Sequence, residues 1–153
     1  MRAAAVLPAG SWDTAKAVDR VALDFDHRHR RRILLRTDGG RDMLLDLPEA
    51  LRLRHGDGLQ LDNGGVVLVA APPEDLLEIQ AHDEGELVRI AWHLGNRHLS
   101  VQVLGSRLRI RDDHVIRAMV ERLGGQVTTL QAPFDPEVGA YEHSHHHGDD
   151  PPH

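Results

Sequence analysis

The hydrophobic pattern of this chain changes at a double proline, Pro72-Pro73, and this change limits the fold more than any other feature. Consecutive prolines favour a stiff, extended connection, so we predict a linker around residues 70–75. Apolar residues follow the two-residue period of strands before the prolines, whereas strand and helix periods alternate after them. A chain of 153 residues can hold two small domains. We predict domains at residues 1–73 and 74–138, followed by a tail at 139–153.

The first domain is predicted to be an all-β module. Val21, Leu23 and Phe25 alternate with small or acidic residues, as in a half-buried strand. The segment Asp62-Asn63-Gly64-Gly65 suits the positive φ angles of a hairpin turn. Further strands are predicted at residues 33–35, 43–45, 58–61 and 66–69.

The second domain is predicted to contain a strand, a helix, two strands, a second helix and a last strand. The first helix has Asp83 as its N-cap and ends near Gly95; the second is capped by Asp112 or Asp113. The strands are predicted at residues 76–79, 99–103, 107–110 and 127–130. This βαββαβ order is the pattern of ferredoxin-like domains, so the predicted fold class is α+β.

Composition excludes several classes of protein. The 24 acidic and 18 basic residues give a net charge of -6, which argues against nucleic-acid binding. Cysteine is absent, so nitrogen and oxygen atoms must bind any transition metal. No apolar run is long enough for a signal sequence or a membrane span. We therefore expect a cytoplasmic protein without a membrane partner.

The last thirteen residues contain five of the twelve histidines and almost no apolar side chains. Such a segment cannot pack into a core, so we expect a disordered tail. Each neutral imidazole offers a lone pair to a divalent ion, and the interrupted run differs from a purification tag. The tail therefore indicates metal binding. Its histidines are His143, His145, His146, His147 and His153.

Three other histidines are candidate metal ligands. His93 is expected in the last turn of the first helix, where the helix dipole also allows a purely structural role. His98 is expected in a polar turn, and a two-fold dimer would bring two copies of it together. His114 is expected in the first turn of the second helix, where the dipole disfavours protonation. The alternative for His114 is an exposed residue without a ligand.

The remaining histidines are predicted to have no role in metal binding. His27 and His29 lie in a segment with four arginines, His27-Arg28-His29-Arg30-Arg31-Arg32, and these arginines would repel a cation. We interpret this segment as a loop that is solvated or contacts another protein. His55 and His82 are expected on the surface.

The residues from His93 to His98, the run Leu-Arg-Ile-Arg-Asp-Asp-His-Val-Ile at 108–116, Pro133-Phe134 and the histidine-rich end resemble the UreE family of urease accessory proteins. The likeness extends over nearly the whole chain. It implies a β-rich domain that binds peptides or partners, followed by a domain for dimerisation and metal binding. It also implies a homodimeric nickel metallochaperone without catalytic activity, which acts with GTPase and scaffold accessory proteins on apo-urease.

The resemblance implies roles for individual residues. His98 corresponds to the interfacial nickel ligand, His93 to a nearby helix histidine, and His114 to a histidine found in some members. Asp112 stands where certain relatives have a further histidine, which puts an additional nitrogen site there in doubt. Nickel as cargo comes from the resemblance alone, since zinc and copper also bind such ligands.

Two other functions are considered. A histidine-rich protein for storing or sequestering divalent metal would bind most of its metal in the tail. A metallohydrolase would require a closed site, and no His-Glu-x-x-His sequence is present.

Overall fold

A computed structural model describes residues 1–137. They divide between Pro72 and Pro73 into two compact units. The first unit contains β1 (Arg2–Leu7), β2 (Asp19–Ala22), β3 (His29–Arg36), β4 (Asp42–Arg52), β5 (Gly58–Leu61) and β6 (Val66–Ala70), with 3-10 helices at Thr14–Lys16 and Phe25–His27. The second contains β7 (Pro73–Gln80), α1 (Glu84–Asn96), β8 (Gln102–Leu104), β9 (Arg107–Arg111), α2 (His114–Arg122) and β10 (Gln126–Pro133).

The first unit is built on one six-stranded sheet with the order β2-β6-β5-β1-β4-β3. The β1–β4 and β2–β6 pairs are parallel and the other pairs antiparallel. Alternate residues of β4, Met43, Leu45 and Leu47, are buried in its apolar core, as the two-residue period requires. The predicted hairpin turn is present between β5 and β6, and Gly64 has a φ of 93° there.

The basic segment of the first unit differs from the prediction. The strand predicted through Phe25 ends at Ala22, because the Asp24 carboxylate accepts the His27 N–H at 3.1 Å and starts a 3-10 turn. Arg28 is fully buried, and its Nη1 donates to the Leu23 carbonyl at 2.9 Å. From His29 onwards the basic residues belong to β3, an edge strand rather than a loop.

The connection between the units is shorter than predicted. β6 continues to Ala70 and β7 begins at Pro73, which pairs with Pro133 of β10. Proline has no N–H to donate to a neighbouring strand, so in sheets it is found mainly at the first residue of a strand, at edges or at bulges. Only residues 71 and 72 therefore connect the two strands.

The second unit has the predicted βαββαβ order of elements. Its four strands are arranged as β10-β7-β9-β8, and all neighbours are antiparallel. Residues of both helices and of β7 and β9 share one buried apolar cluster. This cluster includes Leu77, Ile79, Ile90, Leu94, Leu108, Ile110, Ile116, Met119 and Val120. The α+β class is therefore confirmed.

Both helices begin at aspartate caps. Asp83 Oδ1 accepts the Glu86 N–H at 2.8 Å, as predicted. Of the two candidates for α2, Asp113 is the cap, since its Oδ1 accepts the N–H groups of Val115 and Ile116 at 2.9 and 3.2 Å. Within residues 1–137, neither helix combines the length and the apolar character needed to cross a membrane.

Candidate metal site

The C-terminal end of α1 places His98 in a left-handed backbone conformation. The helix ends at Asn96, one residue beyond Gly95, near which its end was predicted. The His98 N–H donates to the Gly95 carbonyl at 2.9 Å, and the Leu99 N–H donates to the Leu94 carbonyl at 3.2 Å. These two bonds form a Schellman motif. His98 has a φ of 59°, which makes it the one described non-glycine residue with a positive φ.

The end of α2 shows the same motif with the usual residue. Gly124 donates to the Glu121 carbonyl at 3.0 Å, and Gly125 donates to the Val120 carbonyl at 2.9 Å. Gly124 has a φ of 93° and occupies the position that His98 occupies after α1. Glycine adopts this conformation freely, whereas for a residue with a Cβ the conformation is less favourable by about 1 kcal/mol of free energy. The turn would therefore form at least as well with glycine, and its geometry does not explain why histidine occupies position 98.

The His98 side chain is exposed. Among residues 1–137, it has no hydrogen bond, ion pair or ring contact. Both ring nitrogens are thus accessible, and one of them can serve as a ligand in the neutral imidazole. The sequence located this residue beyond the helix but did not predict its backbone conformation. Leu99 was the available signal, because an apolar residue often follows the left-handed position in this motif.

His93 lies, as predicted, in the last turn of α1. Its ring is half-buried and packs edge-to-face against Trp92, with 5.0 Å between the ring centroids and 87° between the planes. This contact is compatible with the structural role that the sequence left open. Whether His93 also binds metal stays a prediction.

His114 is the first residue of α2, as predicted. It is exposed, and whether it binds metal stays a prediction. The residues before it, Asp112 and Asp113, line a cleft of about 520 Å³ together with Leu99 and Ser100, which follow His98. The turn after α1 and the start of α2 therefore border one acidic cleft. Neither histidine is itself among the described residues that line it.

The described residues do not by themselves form a closed metal site. Within residues 1–137, no three His, Asp or Glu side chains are grouped so that they could hold one ion. The tail histidines His143, His145, His146, His147 and His153 lie outside the described residues, and their role stays a prediction. A site built on His98 thus requires ligands from beyond this part of a single chain.

The histidines of the basic segment have partners within their own unit. His27 Nδ1 lies 2.5 Å from Asp24 Oδ1, and this hydrogen bond is the main cause of the lowered pKa of Asp24. His29 begins β3 and is half-buried. These contacts are compatible with the prediction that the segment has no role in metal binding.

Two family models together match almost the whole chain. The model described as the N-terminal domain of UreE urease accessory protein matches residues 3–72. The model described as the C-terminal domain of the same protein matches residues 74–153.

Individual relatives show the same similarity. A protein of Beijerinckia indica subsp. indica, named urease accessory protein UreE, is 52% identical over 141 residues, which are 92% of this chain and 81% of the relative. A protein of that name from Bradyrhizobium sp. strain ORS 278 is 55% identical over 149 residues, covering 97% of this chain and 70% of the relative. One from Rhizobium rhizogenes is 45% identical over 144 residues, covering 94% and 85%.

Proposed function

The chain belongs to the UreE family of urease accessory proteins, and from this premise we propose that it is a metallochaperone that donates Ni²⁺ during assembly of the urease metallocentre. The main support for the proposal is the conformation and exposure of His98. His98 presents an exposed imidazole from a backbone conformation that suits glycine better. In this proposal the protein acts as a carrier rather than as a catalyst.

The proposed nickel site is shared by two chains. A two-fold axis near His98 brings in a second copy of the same imidazole. Further ligands come from the tail histidines or from water, and zinc or copper can compete for the same nitrogens. An ion held in this way stays accessible, so that it can be transferred to another protein. His93 and His114 are proposed as secondary ligands at the two helix ends that flank this region.

The surface of α1 supports a homodimer. Val88 and Trp92 lie one helical turn apart and are 64% and 62% exposed. A cleft of about 650 Å³ beside Val88 is lined by further apolar residues, including Ala91 and Val103. Exposed apolar surface of this kind is typical of protein interfaces. We place the dimer contact on this face of the second unit.

The two units have different proposed roles. We infer that the second unit is a ferredoxin-like domain for dimerisation and metal binding, because its sheet order β10-β7-β9-β8 corresponds to the order 4-1-3-2 within the βαββαβ unit. The first unit is proposed to bind partners. These are the GTPase and scaffold accessory proteins and apo-urease, all in the cytoplasm. The net charge of -6 argues against nucleic acid as a partner.

The test is activation of apo-urease at limiting nickel in the presence of the other accessory proteins. The native protein is expected to raise urease activity, and His98→Ala is expected to lose most of this effect. Arg122→Ala is the control, because Arg122 is an exposed residue of the second unit that lines neither of the two clefts. Nickel-loaded native protein that fails to raise urease activity would refute the proposal.

Metal storage is the second candidate function, supported by the five histidines among the last thirteen residues. A storage protein would keep its nickel when the accessory proteins and apo-urease are added. It would also lose most of its bound metal when the five tail histidines are replaced by alanine, and little when His98 alone is replaced. Release of nickel to the partners and the amount of metal bound by the two variants therefore distinguish the functions.

A further inference from the structure

The backbone at His98 forms hydrogen bonds within the second unit, whereas its side chain forms none with residues 1–137. The hydrogen bonds of His98 and Leu99 to the last turn of α1 define the turn, and Leu99 packs against the apolar cluster of the second unit. Histidine ligands in metal sites are normally oriented by a hydrogen bond from the second ring nitrogen. The His98 ring has no such bond to any residue in 1–137. Its orientation in this part of the chain therefore depends on the backbone.

We propose that the Schellman motif at the end of α1 fixes the backbone of His98 before nickel binds and so positions its imidazole. Leu99 is the residue that holds this motif in place. The inference rests on the proposed function, in which His98 binds nickel. Fixing the backbone in advance should increase the affinity for nickel. Ordering the backbone of one residue upon binding costs the equivalent of about a tenfold loss in affinity, and here the ordering is completed during folding.

Leu99 is well placed for this role. In a Schellman motif, the residue after the left-handed position makes an apolar contact with the last helical turn. Leu94 of that turn is fully buried, and Leu99 is half-buried against the cluster that contains Leu94. Shortening Leu99 therefore weakens the anchor of the turn without removing an atom of the imidazole.

The other helix shows that the turn itself does not require histidine. α2 ends in the same two hydrogen bonds with Gly124 in the left-handed position. At this position glycine would serve the fold at least as well, so the imidazole at 98 is explained by a task beyond the fold. Residues with a strained backbone conformation cluster at functional sites, where the surrounding structure holds them in place.

The experiment compares full-length native protein, His98→Ala, Leu99→Ala and Leu99→Met by nickel titration. The relevant quantity is the affinity of the nickel component that His98→Ala removes. Leu99→Ala should weaken it about tenfold, because the turn must then be ordered on binding. Leu99→Met should restore it. The three-bond coupling between the amide and α protons of His98 should show that Leu99→Ala loses the left-handed conformation and that Leu99→Met keeps it.

Val127→Ala is the matched control, since Val127 of β10 is another half-buried residue packed against the same cluster. It should lower the thermal stability without changing the nickel affinity. Equal nickel affinity in Leu99→Ala and Val127→Ala would refute the positioning role of Leu99 but would not affect the proposal that His98 binds nickel. If His98→Ala removes no nickel component, both proposals are refuted: that His98 binds nickel and that Leu99 positions it.

Discussion

His98 is the residue at which the fold and the proposed function favour different side chains. Its φ of 59° lies in the region that glycine adopts without steric cost. We predict that His98→Gly is more stable to unfolding than His98→Ala by about 1 kcal/mol, because alanine keeps the Cβ strain and glycine removes it. The free energy of unfolding from urea titration measures the difference.

Neither His98 variant carries an imidazole, so both should lose the His98-dependent nickel component equally. Gly64→Ala provides the reciprocal control in the turn between β5 and β6, where φ is 93°, an added Cβ meets open space, and alanine should destabilise the fold through the backbone conformation alone. Equal stability of His98→Gly and His98→Ala would show that the conformation at residue 98 is not strained.

Asp19 connects β2 with the turn between β3 and β4 through its carboxylate. Its carboxylate accepts the N–H groups of Arg20 and Gly39 at 2.8 and 3.0 Å and lies 3.1 Å from the Arg41 guanidinium. A hydrogen bond from Thr37 and these contacts lower the pKa of Asp19 from 3.8 to about 2. The carboxylate therefore ties the β3–β4 turn to β2 over most of the pH range.

A lowered carboxyl pKa stabilises the folded state above the unfolded-state value, and this contribution is lost as the pH falls towards the folded-state value. We predict that Asp19→Asn is less stable than the native protein above about pH 4, and that the difference shrinks towards about pH 2. Urea unfolding across this range measures it. Asp38→Asn, in the same turn, is the control; a pH-independent difference for Asp19→Asn would contradict the prediction.

The elements were predictable wherever local signals agreed. The aspartate caps and the apolar stripes located both helices, and His93 and His114 were assigned to the correct turns. The end of α1, predicted near Gly95, lies at Asn96, where the backbone hydrogen bonds of His98 and Leu99 close the helix. Which residues meet at the acidic cleft could not be predicted, since pairing of distant strands determines it.

Strand β3 is the element at which the sequence was most misleading. Its arginines indicated a loop, but charged residues are also the usual protection of an edge strand against pairing with other chains. Arg30 and Arg32 are exposed, and the side chain of neither forms a hydrogen bond or an ion pair with any residue in 1–137. Their charges are therefore available to an acidic partner.

We predict that the double variant Arg30→Glu/Arg32→Glu binds the accessory partner proteins at least about tenfold more weakly, since charge reversal replaces attraction by repulsion. Calorimetric titration with each partner measures this, and nickel binding should be unchanged. Lys16→Glu, an exposed residue of the same unit, is the control. If the arginines only protect the edge, partner binding will persist and the variant will self-associate.

For the whole molecule, the exposed apolar face of α1 and the position of His98 lead to one quantitative expectation. A ligand that lies near its own copy across a two-fold axis gives one ion per two chains. We predict that Val88→Glu, which introduces a charge into the proposed interface, shifts the protein towards monomers and weakens the His98-dependent nickel component. Light scattering and nickel titration of the same samples measure both effects.

Leu34→Glu is the matched control for this prediction, because Leu34 of β3 is 67% exposed, close to the 64% of Val88, and belongs to the first unit. It should leave the mass and the nickel stoichiometry unchanged. A monomeric Val88→Glu variant with native affinity for the His98-dependent ion would place the whole site within one chain. In that case the tail, rather than a second His98, would have to complete the coordination, and carrier and storage functions would depend on the same set of histidines.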